Sequence, residues 1–77
     1  MTKKDINYYM GLHYEVVVWQ EDGDTVWFAK IPLLPGLMTH AETWEGLPNM
    51  IDDAKRGWLE VALEYGDPIP EPDPARA

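Results

Sequence analysis

The sequence predicts an α+β domain, a three-stranded antiparallel sheet with one long helix packed on one face. Three observations carry this. Two runs of β-branched and aromatic residues flank Asp22-Gly23, a proline-rich corner follows the second run, and a long segment with helical periodicity then extends to Gly66. The 77 residues are too few for more than a single domain, 1–77. An apolar content of 45% with 12% aromatics is too high for a disordered chain.

The elements follow in order. Residues 1–11 form a leader or short helix, docked by Tyr8, Tyr9 and Met10 and broken at Gly11. His13 to Gln20 (HYEVVVWQ) is the first strand and Thr25 to Ile31 (TVWFAKI) the second. The Asp-Gly pair between them marks a hairpin, because the turn needs the positive φ that glycine accepts. Pro32 and Pro35-Gly36 turn a corner, after which Leu37 to His40 is a short third strand. Thr43 is placed to cap a helix over Trp44 to Tyr65, with Gly66 as its stop. Pro48 fits only a first turn, so the regular helix can begin there instead. At ~100° per residue, Leu47, Met50, Ile51, Ala54, Trp58, Val61, Ala62 and Tyr65 share the core-facing stripe. The acidic, proline-rich tail is extended, and mobile over 72–77.

Two surpluses of apolar surface stand out. Tyr14, Val16 and Val18 point to one side of the first strand and Val17 and Trp19 to the other. In the second strand, Val26 and Phe28 alternate with Trp27, Ala29 and Ile31. One helix covers one face, so the other requires a second subunit, a partner or the chain's own arms. Trp19 and Trp27 are assigned to that uncovered face as anchors of a protein interface. Leu59 and Leu63 lie off the helical stripe beside Asp52 and Arg56, and they are assigned to an oligomer interface. A chain this small buries only roughly 60% of its unfolded surface, which adds weight to homo-oligomerisation.

Charge narrows the partners. Six basic against 14 acidic residues give −8, which disfavours direct binding of phosphate backbones and favours a basic protein. Glu15, Asp22 and Asp24 join Trp19 and Trp27 as the expected partner-binding set. The chain has no cysteine, and His13 and His40 lack metal-ligand spacing, so neither metal nor cofactor is expected. Asp52 and Asp53 diverge by ~100° on a helix and cannot easily share one ion. No serine is present and no phosphate loop, so no enzyme activity is expected. No signal peptide or membrane span is visible, and a cytoplasmic location follows.

The run IPLLPGLMTHAET from Ile31 to Thr43, followed by a helix ending WLEVALEYGDPIPEP, resembles the HicB-like antitoxins. So does the opening DINYYMGLHYEVVV, and the likeness extends from about Asp5 to Pro72. Leu33 stands where the family usually has an acidic residue, and Gly46-Leu47-Pro48 replaces a regular helical start. The resemblance implies a β-β-β-α-β order similar to a truncated ribonuclease-H fold, with residues near Ile69 supplying a short C-terminal edge strand at an oligomer interface. It also implies self-association and a HicA-like toxin as partner, a small basic mRNA-cleaving protein masked over its catalytic histidine region. Full antitoxins of this kind carry a C-terminal ribbon-helix-helix or helix-turn-helix module, and none is visible here, so direct DNA binding is not expected. Alternatives are an orphan oligomeric module without a toxin and, less favoured, a metal-dependent nuclease, for which only Glu15 lies inside a first-strand position.

Overall fold

The structure, a computed structural model, describes residues 4–23 and 25–72. Its elements run α1 (Ile6–Met10), β1 (Val17–Gln20), β2 (Trp27–Lys30), β3 (Met38–Ala41) and α2 (Leu47–Tyr65). The three strands form one antiparallel sheet in the order β1-β2-β3. The three-stranded antiparallel sheet followed by one long helix matches the expectation; β1 and β2 are shorter than predicted, and β3 is shifted by one residue.

Each boundary has a local cause. Asp5 caps α1, its carboxylate accepting from the Tyr8 N–H at 3.0 Å. The hairpin turns at Asp22-Gly23 with Gly23 at φ 77°. Its connection is longer than a two-residue loop, because pairing begins at Gln20 and Trp27. The corner is two successive turns, closed by Leu34 N–H to Ile31 O (3.0 Å) and Leu37 N–H to Leu34 O (3.1 Å). Pro35 and Gly36, the latter at φ 83°, are the central residues of the second turn and have the type II signature. These turns carry Ile31, Leu34 and Leu37 into the core and leave Leu33 outside.

Thr43 does not cap the helix as expected. Its hydroxyl accepts from the Gly46 N–H at 3.1 Å, bending the chain one turn earlier, and α2 starts at Leu47 with Pro48 in its first turn. At the other end, Gly66 is left-handed, its N–H bonds the Leu63 carbonyl, and Asp67 N–H reaches the Ala62 carbonyl at 2.9 Å. That is a Schellman stop.

The core lies between the sheet and α2. Ala29, Ala41 and Leu47 form one buried cluster with Val16, Val18, Trp27 and Ile51 against it. Tyr14, Ile31, Leu34 and Leu37 form a second, with Leu12, Ala54, Trp58 and Ile69 against it. α1 packs on α2 and not on the sheet.

That packing corrects the helix stripe. Leu59, expected at a solvent-facing oligomer interface, is 0% exposed within its own chain and has no surface to offer a second copy. Met50, Val61 and Tyr65, expected in the core, are exposed. The buried face is rotated toward Lys55 and Leu59 because the leader packs on that side of α2. The Lys55 ammonium donates to the carbonyls of Met10 (3.2 Å) and Leu12 (3.0 Å). Leu59 lies one turn further along the same side. Leu63 remains exposed.

The edge strand expected around Ile69 is not seen among the described residues, where 67–72 follow α2 without regular structure. Pro68 and Pro70 have no N–H to give a ladder. Ile69 instead packs on the core, and the Tyr14 hydroxyl donates to the Pro70 carbonyl at 2.6 Å. Glu71 accepts from the Lys4 ammonium (2.9 Å) and the Tyr8 hydroxyl (2.8 Å), so leader and tail are clasped together. The Lys4 and Tyr8 hydrogen bonds hold the Glu71 carboxyl below its ordinary range.

Leu59→Ala is expected to lower unfolding free energy by about 3 kcal/mol, the cost of a cavity at a fully buried leucine, measured by denaturant titration. A surface leucine would give a change near zero. Burial pushes the Tyr14 phenol up to about 12 from 10.0, with smaller contributions from Glu71, Tyr9 and Tyr8. Between those values the folded state keeps a proton that the unfolded state has lost, so this contribution to stability is complete below pH 10 and disappears by about pH 12. Tyr14→Phe should therefore show a shallower alkaline loss of stability than the native chain, measured as thermal midpoint against pH. Equal slopes would contradict the assignment.

Candidate functional site

The register decides which side chains share a surface. Val17, Lys30 and Met38 lie opposite one another across the three strands, as do Trp19, Phe28 and His40. Directly paired residues project to the same face, so these six form the outer face of the sheet. Val18, Ala29 and Thr39, with Gln20, Trp27 and Ala41, form the inner face toward α2.

Trp19 and Trp27 therefore lie on opposite faces, contrary to expectation. Trp27 packs against the Ala29–Ala41–Leu47 cluster and meets Trp44 edge-on, with ring centroids 4.9 Å apart. Trp19 stacks on Phe28 at 5.6 Å with an interplanar angle of 18°. The Lys30 ammonium stands 5.8 Å from the Trp19 ring, and His40 lies at 6.2 Å from Phe28 on the other side. Neither helix packs on this face. Val17, Trp19 and Phe28 are half-buried there by their neighbours, and Met38 is 63% exposed.

Of the acidic residues expected to bind a partner, Glu15 is exposed just before β1, between the inward-facing Tyr14 and Val16. Asp22 is exposed in the hairpin turn, at the far end of β1. Asp24 lies outside the described residues. The expected set is thus not one site. Glu15 and Trp19 share a side of the sheet, Asp22 is at its tip, and Trp27 is inside.

A second surface was not anticipated. α2 turns Asp52, Asp53, Glu60 and Glu64 to solvent, with Arg56 among them. Alongside, an open groove of about 400 Å³ is lined by Pro35, Trp58, Val61, Pro68 and Pro70 together with Asp67. Its wall is held by the Trp58 indole N–H, which donates to the Pro35 carbonyl at 2.8 Å. Val61 falls on the core-facing stripe by periodicity, yet it is exposed and lines the groove. The acidic helical positions are legible in the sequence, since 52, 53, 60 and 64 fall within about 120° of one another at ~100° per residue.

Among the described residues, no three His, Cys, Asp or Glu side chains cluster as metal ligands. No helix is long and apolar enough to cross a membrane.

The opposite placement of the tryptophans has a measurable consequence. Trp27→Ala should lower the stability of the isolated chain by about 2–3 kcal/mol, whereas Trp19→Ala should cost about 1 kcal/mol, the scale of an aromatic pair. Equal losses in chemical denaturation would mean that both rings are core.

A family model described as HicB-like antitoxin of bacterial toxin-antitoxin system matches residues 14–77. The match begins at the Tyr14 anchor and excludes α1. No curated protein and no solved structure matches the chain.

Proposed function

The chain belongs to the HicB-like antitoxin family of bacterial toxin–antitoxin systems, and from that premise we propose that it neutralises a small basic mRNA-cleaving toxin of the HicA type in the cytoplasm. It does so by binding and covering the toxin's catalytic histidine region, without chemistry of its own. The observation that supports this most is the run of exposed carboxylates along α2, Asp52, Asp53, Glu60 and Glu64, against the single Arg56. A surface of one sign steers an oppositely charged partner and raises its association rate. The neighbouring groove offers apolar contact beside those charges, and Asp67 lines it. An interface needs such an apolar centre for lifetime, since exposed charges alone contribute little net affinity. Self-association into a dimer or larger homo-oligomer completes the reading.

The test mixes the purified chain with the product of the adjacent small basic gene and follows complex formation and residual mRNA cleavage. Binding is expected to suppress cleavage. Raising monovalent salt from about 0.05 to about 0.5 M should slow association at least tenfold, because screening shortens the reach of the carboxylates. No complex, or one whose association rate ignores salt, would refute this mechanism.

A further inference from the structure

We propose that the outer face of the sheet is the self-association surface and that its occupant is a second copy of this chain, not the basic toxin. This rests on the reading above that the chain self-associates, and it assigns the face. Val17 and Trp19 on β1, Phe28 on β2 and Met38 on β3 place apolar side chains of all three strands on this face around Lys30, and neither helix covers it. An antiparallel sheet can leave one face in water when that face is polar. This one places a stacked Trp–Phe pair at its centre.

Charge selects the occupant. The chain carries −8 overall, so two copies repel over most of their surfaces. Among the described residues, the other Lys and Arg side chains are committed elsewhere: Lys4 pairs with Glu71, Lys55 is buried, and Arg56 sits among the carboxylates of α2. Lys30 instead stands exposed on the central strand of the outer face, over Trp19, with His40 in the next row. A basic partner is repelled by a lysine at that position and attracted to α2. A second copy meets the opposite balance. Glu15 precedes β1 next to Val17 on the outer side, so one copy carries both a cation and a carboxylate at this face. A two-fold axis sets a patch against itself. Val17, Trp19, Phe28 and Met38 of one copy then meet those of the other, and the Lys30 of each copy enters an interface that also holds the other's Glu15.

The test is the solution mass of the full chain, alone, across a concentration series. The native chain is expected to dimerise or assemble further, and Lys30→Glu and Trp19→Ala should each raise the dissociation constant at least tenfold. Lys30→Glu should keep the native circular dichroism spectrum and thermal midpoint at a concentration where both chains are monomeric, since its side chain is exposed. A Lys30→Glu chain that assembles as tightly as the native one overturns the assignment of this face, leaving self-association intact. A native chain that is monomeric throughout overturns self-association and the face with it. A Lys30→Glu chain that keeps its assembly and loses the basic partner gives the face to that partner instead, which also overturns the proposal.

Discussion

A buried lysine holds the leader to the long helix. Lys55 is 8% exposed, and burial lowers the pKa of its ammonium, with the charge of Asp52 opposing the shift. A buried charge is costly unless hydrogen bonds replace its water. Here the carbonyls of Met10 and Leu12 accept from it, and the Tyr14 ring lies 5.0 Å away. The last carbonyls of a helix have no partner of their own and carry partial negative charge. The end of α1 thus offers the acceptors that the ammonium requires. Tyr14 extends the linkage, because its hydroxyl holds Pro70 and thereby the segment after α2. Leader, first strand and tail all converge on one side of one helix.

This arrangement explains how a short chain encloses its second cluster without a further element of regular structure. Sheet and α2 provide two layers. The proline corner, the leader and the tail seal the open end, with Leu34 fully buried beneath the turns and Trp58 tied to Pro35. The described parts of the arms, 4–12 and 67–72, are used up in this closure, on the α2 side. Among the described residues nothing from the arms covers the outer face of the sheet, and the surplus of apolar residues read in the two hairpin strands persists at that surface.

The two exposed surfaces differ in kind. The outer sheet face is flat, aromatic and locally cationic at Lys30. The α2 surface is acidic and bounded by an apolar groove. The proposed function gives the chain two kinds of partner, its own copies and a basic toxin. On that proposal, segregating the charge types between two faces would let both engage at once, with electrostatics assigning each partner its surface.

Much of this was legible in residue order. The Asp22-Gly23 turn, the Pro35-Gly36 corner and the Gly66 stop are dictated by local φ requirements and appear where expected. The opposite faces of Trp19 and Trp27 were legible as well. A two-residue loop at Asp22-Gly23 would pair Val18 with Trp27, and the observed pairing of Val18 with Ala29 is offset by two residues, which preserves every face. What local sequence could not supply was the rotation of α2. Periodicity finds the most apolar stripe, and Lys55 is not on it, a lysine being rarely buried without partners. Those partners are main-chain carbonyls 43 and 45 residues away. Only the docking of α1 brings them to Lys55, and with them Leu59 passes from surface to core. The sequence by itself determined the turns, the order of the three strands and the long helix, and the alternation of the strand faces, because turns and alternation act over a few residues. The tertiary structure decided which side of the helix is inside, because that depends on hydrogen bonds between segments far apart in the chain.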